Sequence, residues 1–192
     1  MNLPPAAPRR PLHQRTITCE GYARDDGLWD IEARIVDTKT YAMDEPYRGH
    51  RPAGAHVHDM RLRLTLDADR VVRDIAVATA HAPYDACFTV ETAFKRLIGA
   101  QVGAGWRKAV QHAVGGTSGC THLKELLMPA ATVAFQTMDS WAKEGTLATE
   151  EGPKRGGERP HFIDGCKAWA ADSPVVERLY PVHYRPPQAP AA

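Results

Sequence analysis

No run of apolar residues approaches the roughly 18 needed to cross a bilayer. The opening residues, Met1–Arg15, carry arginines without the apolar stretch of a secretory signal. Charge of one sign is missing too: 24 Lys and Arg offset 23 Asp and Glu, a formal net charge of +1. Composition therefore gives no basic face of the kind nucleic acid demands. No dinucleotide fingerprint and no Walker loop occur, which argues against nicotinamide redox chemistry and nucleotide-driven phosphoryl transfer. The four cysteines, Cys19, Cys87, Cys120 and Cys166, include no CxxC pair. A chain of 192 residues buries a core without disulfides, and reducing compartments keep thiols free. These absences set the expectation of a cytoplasmic protein that binds neither nucleic acid nor membrane.

What is present is an ordinary globular composition, 43% hydrophobic and 24% charged. Prolines crowd both ends, at 4, 5, 8 and 11 and again at 186, 187 and 190. Residues 1–11 are therefore expected to be disordered and 185–192 to form a flexible tail. A single α+β domain is expected over 12–184, with an exposed connection at about 145–159. Within it, Thr16–Arg24 and Leu28–Lys39 alternate as strands around Asp25-Asp26-Gly27, a hairpin signal because glycine supplies a positive φ. Val57–Leu66 and Val71–Ala80 repeat the pattern across Asp67–Arg70. Helical spacing then takes over in Ala86–Gly99, Trp106–Val114 and Thr121–Lys143, with Pro129 predicting a kink or break near Met128. Strands followed by helices make an antiparallel meander of about four strands with helices packed on one face.

Chemistry concentrates in Gly115–Leu123. Three glycines precede a helix start whose free N–H groups favour negative charge, and Cys120 lies there with His122 two residues on. Cys-x-His suits a nucleophile–base pair, a metal pair, or a buried thiol beside a surface histidine. Cys87 follows Pro83-Tyr84-Asp85-Ala86 at another predicted helix start. With Cys166 from the C-terminal piece, Cys87, Cys120 and His122 would make a four-ligand set for zinc or iron. In the first hairpin, Asp30 and Glu32 share a strand face, where a neighbouring ring and His58 would suit them to acid–base work. His56 and His58, two apart in a strand, are expected on one face, beside Asp59.

The blocks Arg24–Ala33, Asp37-Thr38-Lys39, His58-Asp59-Met60, Ala82-Pro83-Tyr84 and Gly119–Leu123 resemble, in order, the bacterial family catalogued as domain of unknown function 2889. The resemblance runs from about Arg15 to Trp141, and Gly165–Tyr184 is similar to that family's C-terminal segment. A looser similarity, to iron–sulfur scaffolds of the IscU/NifU type, implies ligand cysteines at Cys87 and Cys120; their cysteine–glycine loop is replaced here by Pro83–Cys87.

Three functions follow. The first is a small enzyme acting on a flat aromatic or acyl-type small molecule by acid–base or thiolate chemistry, lyase- or isomerase-like. Its residues would be Cys120, His122, Cys87, Asp30, Glu32 and His58, with no nucleotide cofactor and at most a single metal. The second is a metal- or iron–sulfur-binding protein using Cys87, Cys120, His122 and Cys166. The third is a non-catalytic interaction module. The sequence leaves the oligomeric state open.

Overall fold

The computed structural model describes residues 3–141, 159–160 and 162–187. They fall into two compact units, Met1–Asp139 and Ser140–Ala192. The expected exposed connection at 145–159 lies almost wholly outside the described residues.

In the first unit, β1 (His13–Ala23), β2 (Trp29–Lys39), β5 (His56–Leu66) and β6 (Val72–His81) form an antiparallel sheet in the order β1-β2-β5-β6, the predicted meander. The first hairpin closes as its sequence predicts. Gly27 N–H donates to the Arg24 carbonyl at 3.1 Å, Arg24 N–H donates to Leu28 at 2.9 Å, and Gly27 takes φ +82°. That is a three-residue loop with glycine in the left-handed position. Alternation decides which side chains enter the core. Ile31, Ala33 and Ile35 of β2 and Met60, Leu62, Leu64 and Leu66 of β5 all point to the buried face. Arg34, Arg61 and Arg63 stand on the other face.

The buried face is covered by α1 (Glu91–Phe94), α2 (Trp106–Val114) and α3 (Thr121–Trp141). α2 matches its expected limits, and Trp106 anchors it by donating Nε1–H to the Leu127 carbonyl at 3.1 Å. The long helix expected over Ala86–Gly99 is instead a 3-10 turn, the single turn α1 and a second 3-10 turn. The cause is tertiary: beyond Leu97 the chain runs beside β6, with Gly99 N–H bonding the Val72 carbonyl at 2.8 Å and Val72 N–H bonding Ala100 at 2.9 Å. α3 shows no break at Pro129. Its stripe of Leu123, Leu126, Leu127, Ala130 and Ala134 is fully buried, which offsets the one backbone hydrogen bond proline removes.

A short hairpin, β3 (Met43–Glu45) with β4 (Gly49–Arg51), lies outside the main sheet. Three-residue strands are too short to show a period, so the sequence reading missed it. In the second unit Ile163, Ala171, Val176 and Tyr180 form a small core. There Ser173 caps α4 (Pro174–Leu179), its Oγ accepting from Val176 N–H at 3.2 Å. Among the described residues, no helix is long and apolar enough to cross a membrane.

Candidate functional site

At one end of the sheet, the last turn of the β2 pattern, the start of β5, the start of β1 and the N-terminus of α3 meet. Alternation carries β2 inward through Ile31, Ala33 and Ile35, and the next inward position is Asp37. Its side chain is 1% exposed. A buried carboxylate needs partners, and this one has three residues that make four hydrogen bonds to it. Arg15 donates Nε–H to Oδ1 and Nη2–H to Oδ2, both at 2.8 Å. His58 Nδ1 lies 2.9 Å from Oδ2 and His13 Nε2 lies 3.0 Å from Oδ1. Burial pushes the Asp37 pKa up, but the Arg15 pair and the His58 bond outweigh it and hold the group at about 2. Asp37 is therefore ionised and can only accept. His58 must carry its proton on Nδ1, which leaves Nε2 as a basic lone pair whenever the ring is neutral.

His122, from the first turn of α3, stacks on His58 with ring centroids 3.7 Å apart and a tilt of 31°. Its Nδ1 is 3.9 Å from Cys120 Sγ, and its Nε2 is 3.9 Å from Asp37 Oδ2. Burial lowers the pKa of both rings. For His58 the Asp37 bond opposes that effect without reversing it; for His122 the nearby His58 and Arg15 charges add to it. Both imidazoles are thus neutral near pH 7. The His58 side chain is 12% exposed and that of His122 24%, so both rings are partly open to solvent. Arg15 also donates from Nη1 to Glu125 Oε2 at 2.5 Å, tying β1 to α3 across the site.

Cys120 occupies the cap position of α3, its carbonyl accepting from Lys124 N–H at 2.9 Å, and its thiol contacts Met60 Sδ at 3.8 Å. The glycine-rich stretch before it has a spatial cause. A Cβ at Gly119 would sit 2.7 Å from the Val114 carbonyl oxygen, and one at Gly115 would sit 2.2 Å from that of Gln111. Backbone passes backbone here, so only glycine fits. Gly119→Ala is expected to lower stability by about 1–3 kcal/mol through that clash and to displace Cys120 and His122. Thermal unfolding and the His122 ring chemical shifts check both effects.

The sequence-predicted residues divide. Cys120, His122 and His58 come together; Asp37, His13 and Arg15 join them and were missed. Cys87 is near enough that the Cys120 thiolate would add to burial in raising its pKa, which keeps Cys87 protonated. Cys166 is exposed and belongs to the second unit. Asp30 and Glu32 face away from this site, on the sheet's other side. There Thr65 donates to Asp30 at 2.6 Å and Arg63 to Glu32 at 2.8 Å, beside a groove of about 460 Å³. The expected juxtaposition of these carboxylates with His58 is therefore corrected by strand parity: 30 and 32 are outward positions, 37 an inward one. Glu32→Gln is expected to leave the His58 ring unperturbed by NMR and to change stability by less than about 1 kcal/mol, the usual worth of an exposed pair.

His56 and His58 do not share a face either. His58 keeps the inward parity of Met60 and Leu62, but a bulge at Val57, where Asp37 and Thr38 pair with His58 and His56, reverses His56 and sends it to Asp59 and His81. Among the described residues, two groups bring three metal-capable donor atoms within 4.8 Å of one another: Asp37, His58 and His122, and His56, Asp59 and His81. In the first group Asp37 already accepts four hydrogen bonds, as many as a carboxylate has lone-pair sites. That saturation favours proton chemistry there over cation binding.

No curated protein and no solved structure matches the chain; the similarity to IscU/NifU-type scaffolds is not shown. The profile of one family, described as "Protein of unknown function (DUF2889)", matches residues 13–136. The matched stretch runs from His13, the first residue of the Asp37 cluster, past Glu125, its last. The chain belongs to the DUF2889 family.

Proposed function

We propose that this protein is an enzyme that moves a proton on a small acyl-type or aromatic carbonyl compound, with His58 Nε2 as the base. One observation carries the reading: the ionised, buried Asp37 holds the Nδ1–H of His58 at 2.9 Å while His122 stacks against the same ring. A carboxylate behind an imidazole fixes its tautomer and stabilises the imidazolium formed when the far nitrogen takes a proton. A pKa lowered by burial keeps the base free at neutral pH. His122 stands where it can take or return a second proton, and Cys120 at 3.9 Å is its hydrogen-bonding partner. Chemistry of this kind is lyase- or isomerase-like and needs no nucleotide.

The test is isotope exchange. The protein is incubated in deuterium oxide with a panel of short acyl thioesters and aromatic ketones, and substrate C–H signals are followed by NMR. Exchange with the wild type that disappears in folded His58→Gln supports the reading. Exchange that persists in His58→Gln, or none with any member of the panel, counts against it.

A further inference from the structure

The second donor group differs from the first in what its atoms already do. Asp59 is buried and accepts from Arg34, Nε–H to Oδ1 at 2.8 Å and Nη2–H to Oδ2 at 2.7 Å. That uses one lone pair on each oxygen and leaves one on each. His56 Nδ1 lies 3.4 Å from Oδ2, an ion-pair distance without hydrogen-bond geometry. His81 meets His56 edge to face, centroids 5.3 Å apart. Two strand irregularities assemble the group. The bulge at Val57 brings His56 to Asp59, and a second, at Ala80, sets His81 directly opposite Asp59. Bulges commonly re-aim side chains at functional positions.

We propose that His56, Asp59 and His81 bind a divalent transition-metal cation of the zinc or cobalt kind. Two imidazoles and one carboxylate are a ligand set of borderline softness that suits such ions better than calcium or magnesium. Donors on a tetrahedral ion with bonds of about 2.0–2.1 Å are about 3.3 Å apart. The His56–Asp59 separation of 3.4 Å is already at that spacing, whereas it is long for a hydrogen bond. Arg34 acts as the outer partner that orients a ligating carboxylate. Its positive charge, with that of Arg61 3.9 Å from Oδ1, opposes a dication and limits affinity. Arg34 is 39% exposed and Arg61 60%, so solvent screens both. His81 also lines a cleft of about 350 Å³ with Arg48, His50 and Arg51.

The test uses untagged full-length protein and Co²⁺ alone, titrated at pH 7.5 and read by visible absorption and calorimetry. The expected result is one Co²⁺ site, weakened at least tenfold in His56→Ala and in His81→Ala and unchanged in His122→Ala. Both altered side chains are partly or fully exposed, so the variants should keep the fold, and circular dichroism checks that they do. Absence of a stoichiometric site in the wild type overturns the proposal. So does a site that survives His81→Ala and is lost in His122→Ala, because the ion would then occupy the Asp37 cluster.

Discussion

Asp37→Asn is expected to lower unfolding free energy by roughly 3–5 kcal/mol at pH 7, the cost of breaking a buried charged pair. Typical domains hold only about 5–15 kcal/mol in reserve, so the midpoint in urea should move far. The substitution keeps volume and removes charge. It also turns an amide N–H₂ toward Arg15, His13 and His58, which are themselves donors, so at least one buried donor loses its acceptor. The pH dependence has a definite sign. The folded pKa of Asp37 is depressed from 3.8 to about 2. Its contribution is therefore complete above about pH 4 and is lost as pH falls through about 2, amounting to roughly 2 kcal/mol by linkage. The gap between wild type and Asp37→Asn should narrow over that window. The remainder of the mutational effect, from misdirected donors, should persist in acid.

His58→Gln is expected to reduce turnover by roughly 10²–10⁴, the usual worth of a positioned general base. Stability should fall by much less, by about 1.5–3 kcal/mol for one hydrogen bond to a charged group. The pH–rate profile separates a base from a structural residue. In the proposed reaction His58 works as the neutral imidazole, and burial has lowered its pKa beneath 6.5. Activity should therefore be flat above neutrality and decline on an acid limb centred below pH 6.5. In His58→Gln the residual rate should lose that limb. A parallel decline in both proteins would assign the limb to another group.

The sheet was legible because its strands are long and alternate strictly. β2 runs apolar-in, charged-out from Trp29 to Lys39, and the Asp-Gly turn fixes its register against β1. The same pattern held an unused signal. Continuing the inward parity of Ile31, Ala33 and Ile35 reaches Asp37, a carboxylate at a core position, and the hairpin register places Arg15 opposite it. An inward acid facing an arginine is a buried ion pair that strand counting alone can find. The glycine-rich helix start that carries Cys120 and His122 was legible, but the close backbone passage at Gly115 and Gly119 was not, because spacing does not say what a Cβ would meet. The bulges at Val57 and Ala80 were not legible, because one extra residue leaves no mark in composition yet reverses which face a side chain takes. For that reason His56 and His58 were expected together. The helix after β6 failed differently: local spacing was helical, but pairing of Gly99 and Ala100 with Val72 required extended chain.

The central claim is that Asp37, His58 and His122 form one site in which His58 is a neutral base protonated on Nδ1. Titration of the ¹⁵N-labelled histidine rings by NMR tests it most directly. The account predicts that His58 appears as the Nδ1–H tautomer at pH 7, with both His58 and His122 titrating below 6.5. A His58 ring in the Nε2–H tautomer, or one still protonated on both nitrogens at pH 7, would contradict it.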